Sequence, residues 1–282
     1  MIDKAYLEIT NICNLSCSFC HKTGREKRQM TAVEFETLTD RLQGQVQYLY
    51  FHLMGEPLLH PLLPQFVCRA KEKGFRPMLT TNGTLLKTRG DTLLDALPYK
   101  ISISLHAPAA NEAFADADYL PSCVDFAEKA AKRGVISVLR LWNLGGEGEG
   151  ENAPILRYLH DRFPNEWGKV RGGSSLRLAD KLFLEWGTAF DWPDPTAETV
   201  AETADCFCFA LRDQIGILAD GTVVPCCLDA EGDLALGNLF SAPLGDILAG
   251  ERAQSIYDGF TRRRAVEPLC RRCGYARRFA KR

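Results

Sequence analysis

Short β-branched and aromatic runs alternate with helix-length amphipathic stretches through the first two thirds of the chain, and this alternation restricts the fold more than any other feature. Strand candidates are Tyr6 to Thr10, Tyr48 to Leu53, Pro77 to Thr81, Lys100 to Leu105, Ile136 to Leu141 and Lys181 to Glu185. The apolar core of the sixth, Leu182-Phe183-Leu184, is short enough to be a buried turn of helix instead. Helix ends are recognisable between the strands. Thr31-Ala32-Val33-Glu34 is a capping box, Phe35, Leu38 and Leu42 form one apolar face, and Gly44 stands where a helix-terminating glycine belongs. Leu63 to Lys73 runs into Gly74, and Cys123 to Arg133 runs into Gly134. Strands alternating with helices pair in parallel through right-handed crossovers, so the expected fold class is α/β, a partial (β/α)6 TIM-like barrel.

With 282 residues, a main domain plus a small appendage is the natural division. We expect the barrel to occupy 1–192, ending near Trp192-Pro193-Asp194-Pro195, and a cysteine-rich domain to occupy 193–282. The net charge of -2 gives no global attraction to nucleic acid or to a membrane, and no partner of either kind is expected from it. No apolar run approaches the roughly 20 residues that span a bilayer. Eleven cysteines without a signal-peptide pattern argue for a reducing compartment, so a cytoplasmic protein is expected whose thiols serve as ligands. Gly145-Gly146-Glu147-Gly148-Glu149-Gly150-Glu151 reads as a flexible loop, because its acids would repel a phosphate.

The loop after the first strand candidate reads CNLSCSFC and carries Cys13, Cys17 and Cys20, with Phe19 just before the last cysteine. Three thiolates are one short of a closed site. Structural zinc is almost always four-coordinate with protein ligands, whereas a thiolate-held cubane iron-sulfur cluster can keep one iron free. A zinc knuckle with His21 as fourth ligand is the alternative. Zinc pairs usually come as tight Cys-x2-Cys hooks, and only Cys17 and Cys20 have that form.

In this loop the chain resembles the radical S-adenosylmethionine (radical SAM) superfamily. The resemblance implies that Cys13, Cys17 and Cys20 hold a [4Fe-4S] cluster whose fourth iron is chelated by the amino and carboxylate groups of SAM. It extends to the ends of later strand candidates, where a parallel barrel builds its active site. Met54-Gly55-Glu56-Pro57 is similar to the family's GGEP motif, which binds the methionine amino group, with Met54 in place of the first glycine. Thr81-Asn82-Gly83 is similar to a family segment near the ribose and the cluster. Ser104 and Arg140 are similar to positions that bind the SAM ribose or carboxylate, and an arginine fork suits a carboxylate. Taken singly, Gly55-Glu56-Pro57 and Asn82-Gly83 are ordinary turns and His106 is an ordinary structural histidine. Their recurrence at strand end after strand end favours a shared site.

Six further cysteines lie between Cys206 and Cys273. Asp220-Gly221 reads as a hairpin turn between Gly216 to Leu218 and Thr222 to Val224, which would bring Cys208 and Cys226 together. Cys270 and Cys273 form a Cys-x2-Cys hook that supplies two more thiolates. This region resembles the SPASM/Twitch extensions of radical SAM enzymes, through Gly221 to Cys226 and Leu236-Gly237-Asn238-Leu239. The resemblance implies one auxiliary [4Fe-4S] cluster on Cys208, Cys226, Cys270 and Cys273, with Cys206 as the substitute for Cys208 and Cys227 unliganded. A zinc ribbon needs the same four thiolates and a hairpin. Cys68 and Cys123 fall on helix faces and read as buried hydrophobes.

The implied reaction is reductive cleavage of SAM to a 5′-deoxyadenosyl radical, fed by a low-potential electron donor, and hydrogen abstraction from a peptide or small-molecule substrate. No separate peptide-recognition domain is expected ahead of Tyr6. Glu8, Glu185 and Asp191 are available acid-base groups whose plainer roles are structural or superficial. The contrasting class is a non-catalytic iron-sulfur or zinc protein that binds RNA or a partner through the basic tail from Arg262 onward, which otherwise reads as a solvated face.

Overall fold

Alternate residues along the strands have opposite chemistry. Ala5, Leu7, Leu49, Leu79, Ile101, Ile103, Leu139 and Leu141 are all fully buried in the main core, while their neighbours Tyr6, Tyr50, Thr80, Ser102 and Arg140 are polar or aromatic. Because successive side chains on a strand point to opposite faces, one face of such a sheet packs under helices and the other lines an interior.

The computed structural model describes residues 2–111, 114, 116–146, 148–164, 167, 174–195 and 205–279. In chain order the first part runs β1 (Lys4–Leu7), α1 (Ala32–Leu42), β2 (Tyr48–Tyr50), α2 (Leu63–Glu72), β3 (Arg76–Thr81), α3 (Leu86–Ala96), β4 (Lys100–Ser104), α4 (Tyr119–Lys132), β5 (Ile136–Leu144) and α5 (Asn152–Arg162). It continues with β6 (Ser175–Ala179) and β7 (Leu182–Thr188). The C-terminal part contains β8 (Gln214–Ile217), β9 (Thr222–Val224), β10 (Gly237–Asn238), α6 (Leu244–Ala249), α7 (Glu251–Thr261) and α8 (Pro268–Arg271).

All ten strands form one sheet in the order β10-β9-β8-β1-β2-β3-β4-β5-β7-β6. Strands β1 to β5 and β7 are parallel neighbours, the sixfold arrangement expected of the partial barrel. The register sets Tyr6 beside Tyr50, and Ser104, Arg140 and Glu185 side by side. Leu182-Phe183-Leu184 is strand, preceded by an antiparallel partner β6 that the sequence reading did not anticipate. β8 pairs in parallel with β1, so the sheet runs on across the expected boundary near 192 into the C-terminal hairpin. Gly221 turns that hairpin with φ +84°, where an added Cβ would meet the Phe240 ring at 2.4 Å.

The helix ends follow the expected signals. Thr31 caps α1 by accepting from the Glu34 N–H at 3.2 Å, while the Glu34 carboxylate accepts from the Thr31 N–H at 2.7 Å. Gly44, Gly74 and Gly134 all take positive φ just past helix ends. One expectation fails: Cys68 is exposed, because α2 buries Leu63, Phe66, Val67 and Ala70, and position 68 falls outside that stripe. Cys123, on the inner face of α4, is fully buried as expected. Among the described residues no helix is long and apolar enough to cross a membrane.

Candidate active site

The cysteine loop springs from the end of β1 and closes at its base. Asn11 Oδ1 accepts from the Arg28 N–H at 2.8 Å and its Nδ2 donates to the Glu26 carbonyl at 2.7 Å, while Thr10 bridges to Gln29. Within the loop Cys13 is exposed, Cys17 buried and Cys20 half-buried. Neighbouring strand ends reach their sulfurs. Cys13 Sγ accepts from the Leu15 N–H at 3.5 Å and from Asn82 Nδ2, after β3, at 3.9 Å. Cys17 Sγ lies 3.4 Å from the Ala107 carbonyl and 3.9 Å from Asn111 Nδ2, both after β4. A pocket of about 360 Å³ opens beside the three cysteines, walled by Met54, Gly55 and Trp192.

The loop after β2 presses against this base. Gly55 has φ +78°, and a Cβ there would stand 2.4 Å from the Thr10 carbonyl oxygen, so only glycine permits the approach. The next residue, Glu56, donates its N–H to the Ile12 carbonyl at 2.8 Å, which joins the two loops directly. Its buried carboxylate accepts from Thr81 Oγ1 at 2.8 Å, the Asn82 N–H at 2.7 Å and the Leu58 N–H at 3.0 Å. Burial pushes its pKa up to about 7 against the opposing pull of those donors. Pro57 opens the short turn that supplies the Leu58 donor. Thus Glu56, expected from sequence as a ligand for an amino group, ties the ends of β2 and β3 together.

Asn82 is held by hydrogen bonds to Asn14 and Thr84, and its carbonyl accepts from Tyr119 Oη at 2.7 Å. Phe19 is 40% exposed and leans on His106, ring centres 5.0 Å apart. Ser104 lies at the same level as Arg140 in the sheet. Arg140, however, lines a different cavity, of about 240 Å³ in the barrel interior, together with Tyr6, Tyr50, His52, Lys100 and Glu185. The sequence reading missed most of this cavity. Its signal was the row Tyr48, Tyr50, His52, three large polar-tipped rings at period two along β2 and its extension.

Glu8 has a structural role and no access to solvent. Its carboxylate forks onto Arg25 at 2.7 and 2.9 Å and also accepts from the Met54 N–H at 3.2 Å and the Ala219 N–H at 3.0 Å. One side chain therefore fastens the cysteine loop, the loop after β2 and the C-terminal hairpin.

In the C-terminal part, burial raises every thiol of the six, and the thiols raise one another. Cys226 is pushed well above the ordinary range by burial and then by Cys227, Cys208, Cys273 and Cys270. Cys270 feels Cys208, Cys273 and Cys206 in the same way. The backbone N–H groups of Ala210 and Phe209 pull the Cys208 thiol back down against its burial, and those of Ala276 and Tyr275 do the same for Cys273. Among the thiols that raise Cys226 are Cys208, Cys273 and Cys270, whereas Cys206 is not one of them. Among the described residues no three Cys, His, Asp or Glu side chains close up enough to share one metal ion. Backbone N–H groups aimed at sulfur are the environment in which cluster thiolates are stabilised.

Three arginines of the basic tail bond to backbone carbonyls, while Arg262, Arg263, Arg264 and Arg277 are exposed. Arg271 donates to the carbonyls of Ala265 and Val266, Arg272 to that of Pro195, and Arg278 to that of Thr188. Glu147 of the glycine-rich loop and residues 280–282 of the tail lie outside the described residues.

Comparison with known proteins gives two family matches, the radical SAM superfamily over residues 7–159 and an iron-sulfur cluster-binding domain over residues 206–274. A probable GTP 3′,8-cyclase of Sulfolobus acidocaldarius is 30% identical over 144 residues, 46% of this chain and 43% of that protein. The cofactor-modifying protein for a tungsten-containing aldehyde ferredoxin oxidoreductase of Pyrococcus furiosus is 38% identical over 85 residues, 29% of this chain and 24% of that protein. The chain thus spans less than half the length of these curated relatives. Among solved structures, BtrN in complex with AdoMet and 2-DOIA superposes with a TM-score of 0.62 at 18% identity, over 97% of this chain and 93% of that one. AnSMEcpe with bound AdoMet and the Cp18Cys peptide gives 0.62 at 15% identity, over 98% and 87%. At these identities the structural likeness concerns the fold.

Proposed function

Because the chain belongs to the radical SAM superfamily and carries an iron-sulfur cluster-binding domain, we propose that it cleaves SAM reductively and abstracts a hydrogen atom from a peptide or small-molecule substrate. The observation that carries this reading is the convergence of three strand-end loops on an incomplete set of thiolates. Cys13, Cys17 and Cys20 offer one ligand too few for a closed site, beside a pocket bounded by Gly55. When bound there, a [4Fe-4S] cluster and SAM supply the low-potential electron and the 5′-deoxyadenosyl radical for that abstraction.

The protein's own part is to hold, orient and exclude water. Cys13, Cys17 and Cys20 would hold the cluster, with the N–H groups of Leu15 and Asn82 supporting the Cys13 sulfur. Gly55, Glu56 and Pro57 would position the methionine end of SAM, and Phe19, Asn82 and Ser104 the rest. Cys208, Cys226, Cys270 and Cys273 would hold one auxiliary cluster. Both substrate classes occur among the solved neighbours, 2-DOIA with BtrN and a peptide with anSMEcpe.

The test is direct. Anaerobically reconstituted protein reduced with dithionite should convert SAM to 5′-deoxyadenosine, and the Cys13→Ala/Cys17→Ala/Cys20→Ala variant should not. A cluster-loaded wild-type protein that never forms 5′-deoxyadenosine under strong reduction would overturn the reading.

A further inference from the structure

The barrel cavity contains a cation with few of its hydrogen bonds made among the described residues. Arg140 has its guanidinium carbon 3.8 Å from the centre of the Trp142 ring, so the indole covers one face and the donors remain at its edge. Among the described residues its one hydrogen bond is a long contact from Nη1 to Thr80 Oγ1 at 3.4 Å, and its buried Nε has no partner. A guanidinium carries five N–H donors and stays protonated in proteins, so this edge calls for an acceptor.

The charges around it identify that acceptor. Lys100, Arg140 and Glu185 line the cavity, and Lys100 already holds Glu185 at 3.6 Å. His52, unpartnered at Nδ1, is kept neutral because burial pulls its pKa down to about 3. Burial likewise pushes the ionisation of Tyr6 and Tyr50 upward. Arg278 stands behind Tyr275, 4.8 Å from its ring centre, with its charge on the Thr188 carbonyl. Two cations against one carboxylate leave a surplus of one positive charge in about 240 Å³. A carboxylate carries one negative charge in a planar fork, whereas a phosphate monoester carries about 1.5 to 2 at neutral pH.

We infer that the barrel cavity receives a substrate group bearing a single carboxylate, gripped by the free edge of Arg140 with the aromatic rings of Tyr6 and Tyr50 alongside. This rests on the reading that the barrel interior is the reaction chamber and that Arg140, which lines this cavity and not the pocket beside Cys13, Cys17 and Cys20, serves the substrate in place of the SAM ribose or carboxylate suggested by its resemblance. The carboxylate belongs either to a small free acid or to an acidic peptide side chain, and the chemistry of the grip is the same.

The test is calorimetric titration of the anaerobic, cluster-loaded protein at constant ionic strength in sodium chloride. The probes are acetate, inorganic phosphate, glutarate and an acetyl-glycyl-glutamyl-glycine amide. Acetate should saturate one site and phosphate should not. Arg140→Gln should weaken acetate by about tenfold or more, and Glu185→Gln, which removes the competing carboxylate, should tighten it. If Arg140→Gln does not fold, the sign of the Glu185→Gln effect decides. Tighter binding of glutarate assigns a free acid, and tighter binding of the capped peptide assigns an acidic side chain. Acetate heats no different from chloride, equal binding of phosphate, an unaltered Arg140→Gln affinity or weaker binding to Glu185→Gln overturns the inference. None of these readouts requires SAM cleavage, so a protein that binds acetate yet forms no 5′-deoxyadenosine would sink the proposed function alone.

Discussion

Replacing Glu8 by glutamine should loosen three parts of the molecule at once. The carboxylate is 0% exposed, and its partner Arg25 retains 17% exposure. Glutamine keeps the shape but leaves the Arg25 charge facing a neutral amide, and it weakens the acceptor for the Met54 and Ala219 N–H groups. Removing one member of a buried ion pair costs about 3–5 kcal/mol. The lower end applies here, because Arg25 keeps its bond to the Ala230 carbonyl at 2.8 Å and partial contact with water. Against a typical total stability of about 5–15 kcal/mol, a loss of about 3 kcal/mol is large. In a chain of this size it corresponds to a fall in melting temperature of about 6–12 °C. Circular dichroism melts of the Glu8→Gln, Arg25→Gln and double variants measure it. The double variant should lose clearly less than the sum of the singles, since no uncompensated charge then remains buried. A single variant melting within about 2 °C of wild type, or a double variant that is strictly additive, would refute the reasoning.

Gly55→Ala should prevent stable loading of the first cluster while the auxiliary site keeps its iron, because the new Cβ would stand 2.4 Å from the Thr10 carbonyl; iron analysis and electron paramagnetic resonance check this. Glu56, with its pKa raised to about 7, is neutral in the folded protein where it would already be ionised unfolded. Its contribution is therefore present below about pH 4.3, the unperturbed glutamate value, and is lost as pH rises through about 7. Urea midpoints of wild type relative to Glu56→Gln should accordingly fall between pH 5 and 7.5, and a flat difference would contradict the assignment. Cys270→Ala/Cys273→Ala should lose the auxiliary cluster yet still cleave SAM without productive turnover, and loss of both clusters would count against two separate sites. Stoichiometric zinc in the native protein would overturn the iron-sulfur assignment of the C-terminal site.

The sequence by itself determined whatever depends on neighbours along the chain. The period of the strands, the Thr31 cap, the glycines after helices and the spacing of Cys13, Cys17 and Cys20 are local, so their chemistry was legible before any fold was known. The six parallel strands, with helices between the first five and after the fifth, followed from the same alternation. The tertiary structure decided what depends on which strand ends meet. Glu8 was readable as an acid but not as the clasp between Arg25, Met54 and Ala219, because those partners lie 17, 46 and 211 positions away. The pairing of β8 with β1, which carries the C-terminal cysteines onto the barrel's sheet, has no local signature either. Arg140 was singled out from its place on a strand as a SAM-binding position. Its seat over Trp142 in the barrel cavity was set by register, which aligns it with Ser104 and Glu185 on separate strands. Burial and unmet hydrogen bonds are properties of that assembled surface, and no stretch of sequence contains them.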